Sequence, residues 1–492
     1  SGNVGIGTAD TAGNALTIAG DNVLIKTNNT FLKGVQSDAS TEAYLIGIDG
    51  ANNVVVGDGT GLLKLDSNSR ISLSNNDASG AVGTTLFGYD AGNNIASGGT
   101  NSTFFGHQSG TAVTTGDHNT AYGYRSLFDI VDGGYNTALG YEAGRDGDGQ
   151  ENTFVGYHAG RLSGAGNENT YVGSAAGYNS RTSDNAALAR RALYAMTTGG
   201  YNTAIGHQAG YAVTSGNSNT FLGERVGGNI TTQSNNTFLG RRAGQLAACT
   251  EGTFIGSSTG RNVTGSYNVI AGSFSAYNMT SGTQNNALGR SALYTATTAS
   301  RNVAIGMDAM FYTTNSNDTI SIGNSAGQNG LGMSECIFIG SAAGLNVGGD
   351  RNIAIGYQSM YGTSASGSDN VSMGWRALHS ITTGNYNVSV GSYAGLNTNA
   401  GSYNTHLGYY SGHGATSADN NTFLGALTGR FCTTGTQNTF VGSQAADNTT
   451  ITGDGNTSLG FGSLHNIGDG DNNVCVGRNA GFLITTGNNN IL

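Results

Sequence analysis

A five-residue phrase, Asn-Thr-(Ala/Phe)-(Leu/Ile/Val)-Gly, returns along this chain about every 17 residues, as in NTALG at 136–140, NTAIG at 202–206 and NTFLG at 236–240 and 421–425. Its closing glycine, followed from Gly88 to Gly477, marks 24 units over 389 residues, with intervals of 16 to 18 and Ala189 standing once in the glycine's place. A period this short leaves each unit too small for a core of its own. The units must stack, each contacting its neighbours, as a solenoid. Length therefore says little about domain number, because an array can extend without limit.

Composition agrees with that reading. The chain holds 83 Gly and no Pro, and only 10% of its residues are charged. Average usage would supply about 25 prolines. A residue without an N–H breaks a hydrogen-bonded ladder, so its absence suits a backbone committed to bonds between coils. The net charge of −10, with basic residues clustered no further than pairs such as Arg190–Arg191, speaks against nucleic acid. No apolar run reaches the 18 residues of a membrane-spanning helix. The four cysteines fall at unrelated phases of the repeat without zinc spacing, and read as small buried or half-buried residues.

Numbering each unit from its Asn, the first position is Asn in 19 of 24 units and the fourth is Leu, Ile, Val or Met in 20 of 24. The eighth is small or β-branched throughout. The ninth is either Gly (Gly144, Gly210, Gly244) or larger (Leu127, Leu193, Leu293, Met310, Met360, Leu378), which suggests a tight and a padded form of the coil. Side chains alternate faces along a strand. The second and fourth positions are expected inside the coil, and the small or aromatic third position outside, against another chain. The asparagines, among them Asn136, Asn202, Asn236, Asn302, Asn352 and Asn421, are expected to form a hydrogen-bonded ladder from coil to coil. Seventeen residues allow two short strands and two turns. At about 4.8 Å per coil the array would be a rod roughly 115 Å long.

The unit NTAIGHQAGYAVTSGNS (202–218) resembles repeats of bacteriophage tail fibres, and RNVAIG (301–306) and YNVSVG (386–391) are similar to the head repeat of trimeric autotransporter adhesins. The resemblance covers about 410 of the 492 residues. It implies an all-β, repetitive β-solenoid fibre, homotrimeric, in a virion tail fibre or at a cell surface, with other fibre or tail proteins as neighbours. Residues 81–492 form the array, which breaks off in a 25th unit, and residues 1–80, with short aliphatic runs between Gly, Asn and Asp, read as an all-β connector or cap.

Catalysis needs convergent, non-repeating polar groups, and the eight histidines scatter over different positions of the repeat. No catalytic, cofactor or metal site is expected. DGDG (146–149) and GDGDNN (468–473) lack the remaining ligands of a calcium loop and read as turns. The position after the glycine varies most, and Tyr141, Tyr157, His207, Arg241, Tyr357, Trp375 and Tyr409 are the candidates there for recognising a cell-surface glycan or other receptor. The expected function is a structural fibre giving reach and attachment to a host cell. Alternatives are a bacterial surface adhesin or extracellular filament, an ice-binding solenoid and a polysaccharide-degrading β-helix.

Overall fold

The computed structural model describes residues 83–96, 98–330 and 332–492, together with the backbone of three strands nearer the N-terminus. The chain divides into two compact units, Ser1–Ser72 and Leu73–Leu492. In the first, β1 (Thr30–Val35), β2 (Glu42–Ile48) and β3 (Val54–Val56) form an antiparallel sheet in chain order. The rest of the segment expected to be a connector or cap lies outside the described residues.

The second unit is a parallel β-solenoid. Its 24 strands run from β4 (Thr85–Phe87) to β27 (Val474–Val476), each three residues long and paired in parallel with the strand one coil before and one coil after. Register never slips, so like positions meet: Thr220 faces Thr237, Phe221 faces Phe238 and Leu222 faces Leu239. Within each rung the second-position N–H donates up the stack and the glycine N–H donates down it. Thr137 N reaches Asn152 O at 2.8 Å, and Gly156 N reaches Leu139 O at 2.8 Å. Among the described residues there is no helix.

Each coil holds one strand, where two were expected. The remaining 13 or 14 residues turn too often to extend. Left-handed backbone recurs after the strand, as in Arg191 (φ 58), Leu193 (φ 48) and Tyr201 (φ 60) of one coil. The second side contributes only isolated bridges such as Gly147 with Gly164. At the strand's end Gly240 has φ 128, and a Cβ there would stand 2.5 Å from the carbonyl oxygen of Gly256 in the next coil. This is why glycine closes the phrase.

The largest correction concerns the faces. The third position, expected outside, points into the coil and is buried in every rung after the first, from Phe104 to Cys475. The second and fourth positions, expected inside, face outward: Leu139 is 47% exposed and Leu222 42%. Alternation along the strand was correctly read, but its sense was inverted. The coil interior is narrow, already shared by the Asn of the first position and the Ala of the eighth. It takes one side chain from the strand, matched in volume to the corner at the ninth position.

That matching is strict. Leu127, Leu193, Leu293, Met310, Met360, Leu378 and Leu464 fill the corner of coils whose strand centre is Ala or Ser, and the next strand centre is small as well: Ala138, Ala204, Ala304, Ser321, Ser372, Ser389 and Cys475. Where the strand centre is Phe, the corner is Gly or Ala. In the coil of Phe338 the corner is Gly344, and a Cβ there would lie 2.3 Å from the ring's Cδ1. The two forms of the coil are thus one core packed alternately from two sides. The apolar column runs from Ala91 to Ile381 and resumes from Ala415 to Cys475. Between them the interior holds Ser389 and His406, both fully buried.

The asparagines are buried beside this core. Asn202 Nδ2 donates to Gly216 O at 2.9 Å, and its Oδ1 accepts the backbone N–H of Asn219 at 3.0 Å. Asn136, Asn302 and Asn421 repeat both bonds, the amide nitrogens reaching Gly149, Ser316 and Gly435 at 2.8, 2.8 and 2.9 Å. Asn352 reaches Gly367 at 2.8 Å, and the Oδ1 of Asn236 accepts the N–H of Gly252 at 2.9 Å. Each amide therefore closes the turn of one coil and holds the strand entry of the next.

Candidate functional surface

Three columns of side chains face outward from the solenoid: the second and fourth positions on the strand, the sixth just past the glycine, and the tenth beyond the corner. In all three, strict register sets like residues one above another. Aromatic side chains so placed stack. Phe87, Phe105 and Tyr122 in the fourth position are parallel at 4.6 Å spacing. Tyr89, His107, Tyr124, Tyr141 and Tyr157 in the sixth follow one another at 5.0 to 5.4 Å. A ring inside such a ladder has both faces covered by its neighbours and offers only its edge.

The recognition candidates sort accordingly. Tyr141 and Tyr157 belong to that ladder, 5.4 Å apart. His207 lies 2.8 Å from Arg190 Nη2 in the preceding coil, and Arg241 is exposed two coils further on. Tyr357 and Trp375 occupy successive coils. Trp375, 48% exposed, tilts at 55° against Tyr393, which leads through Tyr410 to Tyr409. The seven residues thus share one column without converging on one site, apart from this cluster around Trp375.

Charged groups on the other columns are mostly neutralised in place. Glu142, nearly buried, takes Arg161 Nε at 2.5 Å and His158 Nε2 at 3.2 Å. Burial alone would push its carboxyl up, but the hydrogen bond and charge of Arg161 hold it below the usual range. Burial lowers His158 against the pull of Glu142, so its imidazole is neutral at pH 7. Arg125, Arg225 and Arg376 each hydrogen-bond the glutamine one coil before. Asp148, in DGDG, accepts the N–H groups of Val131, Asp132 and Gly133 at 2.8, 3.0 and 3.3 Å, an anion closing a turn. Among the described residues no three His, Cys, Asp or Glu side chains converge as metal ligands. The four cysteines are free and buried, and burial pushes Cys249 and Cys432 up to about 12 and Cys336 to about 11, which keeps these thiols protonated.

The tenth position, whose aromatic residues sequence reading notes only as followers of a large ninth residue, carries a second aromatic ladder. Tyr178, Tyr194 and Tyr211 stack at 5.1 and 5.3 Å. It stops at Gly228, the sole glycine of the column, and a cavity of about 200 Å³ opens there between Tyr211 and Gln245. Gln208, Arg225, Asn229 and Leu246 complete its lining. The break was legible as one glycine in a column otherwise occupied by larger residues. The sequence shows an aromatic or His after the larger ninth residues, as in Phe128, Tyr194, Tyr294, Phe311, Tyr361 and His379, but not that such rings stack from coil to coil. Comparison of the sequence with models of known protein families and with curated proteins finds no match.

Proposed function

We propose that this chain is a structural segment of a homotrimeric fibre that extends an attachment device from a phage tail, with host-cell binding as its purpose and no reaction of its own. One observation carries the assembly: the strand face. Over 24 rungs its second and fourth positions hold no charged residue, and fourth-position side chains such as Leu239 and Leu424 stay about 40% exposed on the single chain. Soluble monomers rarely expose apolar patches beyond a few hundred Å². An in-register stripe also offers a copy of itself the same contact at every rung, so small gains per rung add up.

The number three, the phage tail and the host cell rest on the tail-fibre resemblance of units such as 202–218. A bacterial surface filament with the same repeat would use the strand face in the same way, and a virion proteome containing the chain distinguishes the two. The outward Thr column is interrupted from Val269 to Val388 by Val, Ile and Asn, which favours packing over an ice-matching array. Thr and Val interchange readily on a packed face, whereas a hydroxyl lattice requires the oxygen. Native mass measurement tests the assembly. A mass of three chains is expected, and a stable monomer overturns it.

A further inference from the structure

We infer that the gap at Gly228 is a binding site for a single pyranose ring of a glycan, stacked on Tyr211. The ladder Tyr178–Tyr194–Tyr211 supplies the platform, since Tyr211 is its last ring and has no aromatic neighbour on the Gly228 side. Coils about 4.8 Å apart leave roughly 10 Å between the rungs of Tyr211 and Gln245, the height of one inserted ring. The cavity, about 200 Å³, lies below the usual range of drug-sized pockets, about 300–1,000 Å³, so it suits one ring and not a buried chain.

Gly228 is less constrained by its backbone than the strand-end glycines. Its φ is not left-handed, and the nearest atom to an added Cβ is a backbone oxygen at 3.0 Å, whereas the strand-end glycines meet one at about 2.5 Å. The same position of the preceding coils carries tyrosine.

The lining defines the ligand. Arg225 Nε donates to Gln208 Oε1 at 3.2 Å, which leaves the guanidinium Nη groups and the Gln208 amide N–H groups as donors beside the Asn229 amide, a set that fits hydroxyl groups. The C–H face of the sugar rests on Tyr211 while its hydroxyls meet the amides. The choice of a glycan rests on the attachment reading, but the site needs only one chain.

Saturation-transfer NMR on the full chain, using methyl glycosides of glucose, galactose, mannose and N-acetylglucosamine, tests this. At least one glycoside should show transfer to its ring C–H protons. That transfer should disappear in Gly228→Tyr, which completes the ladder, and affinity should fall at least about tenfold in Tyr211→Ala. Melting of both variants reports their folding. No transfer to any glycoside, or undiminished transfer in folded Gly228→Tyr, overturns the site. Binding to a panel of bacterial strains separates the two readings. Strain binding equal in wild type and Gly228→Tyr leaves attachment standing and removes the site from it. Glycoside transfer without strain binding keeps the site and removes attachment.

Discussion

The Sγ of Cys336 stands 3.4 Å from the backbone nitrogen of Asn352, in the place an asparagine amide oxygen takes in most other coils. The thiol also lies 3.4 Å from the carbonyl of Gly349, the acceptor that an amide nitrogen reaches at about 2.8 Å elsewhere. A weak donor and acceptor thus fills a rung built for a strong one. Cys336→Asn should stabilise the solenoid by about 1 kcal/mol, and Cys336→Ala should destabilise it by about 1–3 kcal/mol by leaving the buried N–H of Asn352 unpaired, while Gly349 O keeps the Asn352 amide at 3.0 Å. Denaturant midpoints of the two variants check the order, and equal midpoints would remove the ladder's energetic role.

The match between strand centre and corner predicts a rescue. Phe338→Ala alone should cost about 3–5 kcal/mol through the cavity it leaves. Gly344→Met alone should also destabilise, because its Cβ would collide with the Phe338 ring. Together they recreate the Ala–Met pairing of Ala304 and Met310, ahead of a coil whose centre, Ala354, is already small. The double variant should recover much of the loss. A cost equal to the sum of the singles would show that the pairing is incidental.

His406 makes the core acid-sensitive. Its ring is fully buried, with Nδ1 3.1 Å from Ser389 Oγ and its face 5.5 Å from Phe423. Burial lowers it from 6.5 to about 4. The neutral ring belongs to the folded state, so its contribution is complete above pH 6.5 and is lost as pH falls from 6.5 towards 4. The loss is roughly 3 kcal/mol at most. In His406→Phe, which copies the Phe–Gly pairing of neighbouring coils, this part of the pH dependence should vanish while stability at pH 7 changes little. Melting temperatures across that range decide it.

The strand face predicts separable folding and assembly. Leu222→Lys with Leu239→Lys changes two side chains that are about 40% exposed, so a single chain should melt within about 1 kcal/mol of the parent. Facing lysines would repel in the oligomer. Sedimentation should show a lighter particle with unchanged circular dichroism. An unchanged mass would place the interface elsewhere.

The solenoid itself was legible because its cause is local and repeated. A glycine every 17 residues, no proline and a regular aliphatic position leave few other ways to bury apolar surface and pair amides. The small eighth position and the Asn column were visible as patterns for the same reason, but the burial of the asparagines, expected on the outer face with the third position, was not. Nor was the inner face. Strand alternation assigns Thr220 and Leu222 to one side and Phe221 to the other, but it is indifferent to which side is enclosed. Hydrophobicity misled, since Leu on this face is no less apolar than Phe on the other.

What decided the matter is the direction in which the chain turns after the strand. Left-handed backbone past Gly223, at Arg225 (φ 54) and Gly227 (φ 58), belongs to a turn that closes on the side of Phe221 and leaves Leu222 outside. The covariation of Phe with Gly and Ala with Leu across that corner was written in the residues, yet it has meaning only once the third and ninth positions are known to touch. Sequence alone determined the period, the register and which residues share a face. Only the tertiary structure decided which face is core, which is free for a partner, and where Gly228 breaks a ladder, because curvature is a property of the closed coil and not of any one strand.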